Sequence, residues 1–178
     1  MYRWCWKQLS GSCRIVMKNS IYIFVILFSI SLNGQSLKNV LKKYNTESIP
    51  YVTVEATKAN PSYILLDARE LKEFKVSHLK NAIQVGYDSF NLKETATRIK
   101  DKSATIVVYC SVGIRSEDIA EKLKKSGFKN VYNLYGGIFE WKNKLNIVVD
   151  SLNQPTEKVH TFSKEWSKWL KKGIKIYE

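Results

Sequence analysis

Cys110 is followed five residues later by Arg115 in the stretch Cys-Ser-Val-Gly-Ile-Arg, a thiol with a fixed cation close by. The thiolate is the attacking form of cysteine, and a nearby positive charge or helix N-terminus favours it. Gly113 gives the segment the backbone freedom of a tight loop. Successive N–H groups in such a loop can form a concave nest for an anion, reinforced where a helix begins. The chemistry implied is nucleophilic attack by sulfur, with the anionic partner held by main chain and arginine.

The neighbouring residues must position this loop. Ile106 to Tyr109 is a short apolar run that reads as a buried strand, and a helical pattern starts near Ser116. Ser116 is read as the N-cap, with Glu117 and Asp118 in the first turn. Ile119, Ala120 and Leu123 give the apolar face, Lys122, Lys124 and Lys125 the far end, and Gly127 the stop. Cys110 then lies at the carboxyl end of a strand, where open α/β sheets bind ligands. Further strands are expected at Tyr51–Val54, Tyr63–Leu66, Ala82–Val85 and Asn130–Leu134, and a helix at Phe90–Ile99. Ala56 to Ser62 reads as a turn around Asn60-Pro61, and Asp67 as the cap of a helical turn over Glu70–Phe74. The alternation predicts an α/β fold, with a central, mainly parallel sheet and helices on both faces. Gly136-Gly137 allows a tight turn beside the Cys110 loop, with Trp141 as core beneath it.

Cys110 to Ser116 resembles the active-site loop of the rhodanese-like sulfurtransferases. So does Leu65-Leu66-Asp67-Ala68-Arg69-Glu70, continued by Glu73-Phe74, His78-Leu79 and Ala82, and so does Tyr135-Gly136-Gly137-Ile138 with Trp141. The resemblance runs over residues 48–143. It departs at Ser77-His78-Leu79-Lys80-Asn81-Ala82, where the family has Gly-His-Ile-Pro-Gly-Ala; Asn81 tolerates positive φ better than most residues, so the turn is expected to survive. The resemblance implies a rhodanese-like fold and a persulfide mechanism. Cys110 would take the outer sulfur of a small anionic donor such as thiosulfate and pass it to a thiol or cyanide. Backbone N–H groups of Ser111, Val112, Gly113, Ile114 and Arg115 would hold the persulfide, and the Arg115 side chain the donor. Arg69 is a further candidate for substrate binding, or else a structural partner of Glu70 or Glu73. His78 belongs on a turn as a hydrogen-bonding residue, and His160 is given no role. No cofactor is implied, and a lone cysteine with two distant histidines is not a zinc pattern.

Two other readings stay open. One is a rhodanese fold kept for binding or for redox sensing at Cys110. The other is a cysteine phosphatase or arsenate reductase; those families use a Cys-x5-Arg loop, one residue longer than the Cys-x4-Arg found here, with room for a tetrahedral oxyanion.

The chain carries a net charge of +13 over 178 residues. A basic surface can be a merely solvated one, or can steer anionic substrates and an acidic protein partner. No stretch interleaves aromatic and basic residues as a nucleic-acid platform does. Residues 35–47 form a lead-in segment, with Leu37, Val40, Leu41 and Tyr44 in a short amphipathic helix ending near Asn45. Residues 144–178 form a C-terminal extension. There Gln154-Pro155 marks a linker, and Phe162, Trp166, Trp169 and Leu170 recur at helical spacing between Ser163 as N-cap and Gly173 as stop. These aromatics are expected to dock on the flank of the domain.

At the amino end, Lys18 precedes the apolar run Ile21–Leu32, which is shorter than the roughly 20 residues of a membrane span and matches a secretory leader. Met17 is read as the start of translation and residues 1–34 as the removed segment, cut between Gly34 and Gln35. The chain would then be periplasmic or secreted, with no stable membrane insertion; an uncleaved N-terminal anchor is the alternative. Cys5 and Cys13 fall before the cut, leaving Cys110 as the one cysteine of the mature chain and no internal disulfide. N-terminal sequencing of the mature protein is expected to begin near Gln35, and an intact Met1 or Met17 in a soluble periplasmic fraction would refute the cleavage.

Overall fold

Thr105 to Tyr109 are all β-branched or aromatic, and a strand so composed seeks burial on both faces. The computed structural model, which describes residues 36–177, places it at the centre of a five-stranded sheet. The residues read as a leader, the expected Gly34–Gln35 cut, Cys5 and Cys13 lie outside the described residues. In chain order the elements are α1 (Leu37–Tyr44), β1 (Tyr51–Val52), α2 (Val54–Ala59), β2 (Ile64–Asp67), α3 (Leu71–Val76), β3 (Ile83–Gln84), α4 (Leu92–Arg98) and β4 (Thr105–Tyr109). Then come α5 (Arg115–Lys125), β5 (Asn130–Leu134), α6 (Gly137–Asn143), β6 (Val148–Val149), β7 (Pro155–Thr156), β8 (Lys158–His160), α7 (Lys164–Ser167) and β9 (Ile174–Ile176).

The sheet order is β1-β5-β4-β2-β3, and every pairing within it is parallel. Side chains of β4 alternate between two cores, as the period of a strand requires. Ile106 and Val108, with Cys110 just beyond, enter a core with Ile119 and Leu123 of α5. Val107 and Tyr109 point to the other face, among Val54, Leu134, Ile138 and Phe139. The α/β architecture with helices on both faces is therefore that expected.

Local departures have local causes. Only Tyr51–Val52 is strand, because Thr53 caps α2 by accepting from the Ala56 N–H at 3.2 Å. That helix occupies ground read as a turn. Glu70, not Asp67, caps α3: Glu70 and Glu73 form a reciprocal capping box, and the Glu70 N–H donates to Glu73 Oε2 at 3.0 Å. Helix α5 begins at Arg115 with Ile114 before it, so Ser116 lies inside the helix rather than capping it. Asn81 takes φ +65°, the conformation expected of it.

The two flanking segments complete the domain. Val40 and Leu41 of α1 are buried, and Glu117 and Glu121 of α5 bind the link after it through Thr46 and Ser48. In the C-terminal extension, β8 and β9 pair in parallel, and Val159 and Leu170 join the second core. Trp166 and Trp169 pack on that core as expected, but the helix between Ser163 and Gly173 is only the short α7. Phe162 stands outside it with half its surface exposed.

Candidate active site

Strand β4 ends one residue before Cys110, which is 1% exposed at the carboxyl edge of the sheet. The Gly113 N–H donates to Cys110 Sγ at 3.2 Å, with Gly113 at φ +111°. Outside groups hold the carbonyls of the loop. Cys110 O accepts from the Ile138 N–H at 2.9 Å and Ser111 O from the Phe139 N–H at 3.2 Å. Gly113 O accepts from Asn45 Nδ2 and from Asn133 Nδ2, each at 2.8 Å. A planar trans peptide turns its N–H opposite to its carbonyl, so the N–H groups of Ser111, Val112 and Ile114 point away from these anchors. The loop thus keeps these N–H groups clear of its anchors, and the Gly113 N–H faces Cys110 Sγ. Gly137, at φ +54°, permits the close approach of α6, because a Cβ there would collide with the Cys110 carbonyl.

Ser116 Oγ lies 3.5 Å from Cys110 Sγ and 2.8 Å from Asn133 Oδ1. A hydroxyl has one proton, and Asn133 claims it at the shorter distance. Ser116 therefore offers Sγ a lone pair, and can turn its proton to Sγ when that atom becomes anionic. Asn45 and Asn133 carried no sequence signal beyond lying at the end of one element and within another.

Arg115 makes a two-toothed bond with Glu73, Nη1 to Oε2 at 2.7 Å and Nη2 to Oε1 at 2.8 Å, and reaches Ser111 Oγ at 3.2 Å. Burial pushes the Glu73 carboxyl up, but hydrogen bonds and charge from Arg115, with the charge of Arg69, overcome this and hold it below its usual range. Burial would lower Arg115; the hydrogen bond to Glu73 and the charges of Cys110 and Glu73 raise it instead. The cation expected to bind the donor is thus largely spent within the protein.

Arg69 does not reach the loop. It is fully buried, bound to Asp67 through Nε at 2.9 Å and Nη2 at 2.6 Å, and to the Ser77 carbonyl at 2.7 Å. This corrects its assignment to substrate binding, and its carboxylate partner is Asp67 rather than Glu70 or Glu73. His78 is tied into the fold: its ring stacks on Phe74 and its Nδ1 lies 3.0 Å from the Phe74 carbonyl. Trp141 is half-buried: it packs against the second core, as expected of it, and also lines a cavity of about 360 Å³ with Lys58, Tyr63 and Lys80 beside the amino end of β2.

Ser111, Val112, Ile114 and Arg115 join Cys110 in lining a separate pocket of about 120 Å³. Phe162 and Trp166 close its outer side. Helical spacing marks those aromatics without showing that the chain returns to Cys110. Among the described residues, no three of His, Cys, Asp or Glu gather as a metal site.

The Glu73–Arg115 pair makes a measurable demand. Glu73→Gln leaves a mostly buried guanidinium without its counter-charge and is expected to cost about 3 kcal/mol at neutral pH. A depressed carboxylate stabilises the fold above its ordinary pKa of about 4.3, and the gain is lost as pH falls through the lowered folded value. The stability gap between wild type and Glu73→Gln, read by denaturant unfolding, should therefore shrink below about pH 4.3. A gap that is constant with pH would contradict the charge-based account.

Comparison with known proteins adds an independent line. A segment of 88 residues is 41% identical to the tRNA uridine(34) hydroxylase of Photorhabdus laumondii, covering 48% of this chain but 25% of that protein. The same name recurs for Yersinia pestis at 39% identity over 88 residues, so the chain matches about a quarter of the length of these curated relatives. A rhodanese-related protein of Thermoplasma volcanium superposes with TM-score 0.50 at 27% identity, over 56% of this chain and 97% of that one. The thiosulfate sulfurtransferase of Pseudomonas aeruginosa shares the fold, with TM-score 0.53 at 20% identity over 68% of this chain and 23% of that one. The family model for the rhodanese-like domain matches residues 52–144, from the end of β1 to the end of α6, and the chain belongs to that family.

Proposed function

We propose that this domain is a sulfurtransferase that carries sulfur as a persulfide on Cys110. The observation that supports it best is the loop itself, with Cys110 Sγ at the base of a small pocket and the Gly113 N–H donating to it at 3.2 Å. In the first step, Cys110 thiolate attacks the outer sulfur of a donor such as thiosulfate. The bond between the two donor sulfurs breaks, sulfite leaves with its electron pair, and Cys110 is left as Cys–S–S⁻. Donors of the loop stabilise that charge as it forms, without having to reorganise. In the second step an acceptor, a thiol or cyanide, attacks the outer sulfur and returns the electron pair to Sγ. This is covalent catalysis in two half-reactions. The leader pattern over Met17–Gly34 adds an exported setting to the proposal.

The arrangement favours this over phosphoryl or arsenate chemistry. A tetrahedral oxyanion needs a wider ring than Cys-x4-Arg and a free guanidinium, whereas Arg115 is engaged by Glu73 on two nitrogens. On incubation with thiosulfate the protein should gain one sulfur atom, about 32 Da, and lose it to cyanide, as read by intact mass. Cys110→Ser should abolish both events, because a hydroxyl of similar size is not an activated nucleophile. Hydrolysis of aryl phosphates without the adduct would support the phosphatase reading instead. If neither occurs, a binding or redox-sensing module is the better description.

A further inference from the structure

The outer wall of the Cys110 pocket comes from outside the segment that defines the family. Phe162 and Trp166 follow the matched residues 52–144, and Trp166 is braced edge-on by Tyr44 of α1, with ring centroids 6.1 Å apart. Phe162 sits at φ +65°, a left-handed conformation that is uncommon for a bulky side chain. Its N–H donates to His160 Nδ1 at 3.1 Å, and the flanking Thr161 and Ser163 N–H groups donate to Ile176 O at 2.9 Å and Thr161 O at 2.7 Å. The fold thus holds a strained backbone in place, yet the ring it presents is 49% exposed. Burial alone does not account for such a position, and strained residues concentrate at ligand clamps.

The electrostatics agree. Ser111 and Arg115 supply the polar part of the lining, but Arg115 is committed to Glu73, and the Phe162 ring stands 5.0 Å from its guanidinium. A molecule entering the mouth meets Val112, Ile114, Phe162 and Trp166. A charged acceptor would lose water there without gaining an ion partner, because the loop N–H groups that receive an anionic donor are occupied by the persulfide once it has formed, and such a loss is costly. The pocket volume of about 120 Å³ approaches the ~150 Å³ of an apolar cavity that admits benzene.

Building on the sulfurtransferase reading, we propose that the acceptor of the Cys110 persulfide sulfur is a small thiol with an uncharged, apolar body, and that Phe162 and Trp166 set this preference. The acceptor sulfur attacks the outer sulfur of Cys110–S–SH, and the bond to Sγ breaks with its electron pair returning to Sγ. An organic persulfide departs, and the proton given up by the acceptor thiol is regained at Sγ, so no external oxidant or reductant is needed.

The test is single-turnover transfer from thiosulfate-loaded protein to benzyl mercaptan and to 2-mercaptoethanol, each rate divided by that of the same thiol with a small persulfide in solution. The normalised ratio should favour the benzyl thiol by roughly tenfold, the discrimination an apolar pocket supplies. It should fall toward unity in Phe162→Ala and in Trp166→Leu, with adduct mass measured for each so that rates refer to loaded protein only. Two variants guard against one of them failing to fold. A ratio near one in the wild type, or a preference that neither variant reduces, overturns the acceptor assignment while leaving the sulfurtransferase intact. Absence of the sulfur adduct in the wild type overturns the sulfurtransferase reading, and the acceptor assignment with it.

Discussion

The ion pair between Arg115 and Glu73 connects the scaffold to the chemistry. Glu73 is fully buried on α3, a helix whose capping box already uses that carboxylate to hold the Glu70 N–H. A buried carboxylate without a cation would be expensive, and Arg115 answers it with two hydrogen bonds from the first turn of α5. The loop between β4 and α5 is therefore fastened at its far end to a helix early in the chain. Its near end is fastened by β4, and its carbonyls by α6, Asn45 and Asn133. With the carbonyls so engaged, the N–H groups of Ser111, Val112 and Ile114 are clear of the anchors and the Gly113 N–H reaches Cys110 Sγ. The anchors that make the loop rigid also make it a cradle.

That arrangement has a consequence for substrate choice. An arginine in a cysteine loop suggests a device for catching anions, but here its charge is balanced inside the protein. In the proposed sulfur transfer, anion stabilisation would fall to backbone donors, which act at short range on the atom that Cys110 would carry. The pocket mouth is left to aromatic side chains from a returning C-terminal segment. A family domain thus keeps its central loop while flanking residues remodel the approach to it. Those residues are integrated into the domain, since Leu170 is buried in the second core and Asn143 ties α6 to the main chain at Trp169, Lys171 and Lys172.

Much of this frame was legible in the sequence. Strand β5 runs over Asn130–Leu134 as its β-branched pattern indicated, and β4 and β2 differ from their expected limits by a residue. Hydrophobic periodicity reports burial, and parallel strands buried on both faces give a strong signal. Caps were harder to assign. Ser116 and Asp67 both have the right chemistry, but Asn133 takes the hydroxyl of one and Arg69 the carboxylate of the other. Each loss to a cap reflects a tertiary partner distant in sequence or a buried charge, neither of which a local pattern contains. Cys110 was visible because its loop is contiguous. Glu73, Asn45, Asn133 and Phe162 meet that loop only through the fold, and no spacing rule connects them.

The most direct measurement is the crystal structure of the protein after brief exposure to thiosulfate. The account predicts one additional sulfur bonded to Cys110 Sγ, within hydrogen-bonding distance of N–H groups between Ser111 and Arg115. Arg115 should remain on Glu73, with Phe162 and Trp166 covering the outer side. An unmodified Cys110 with an intact oxyanion held by an Arg115 released from Glu73 would contradict it.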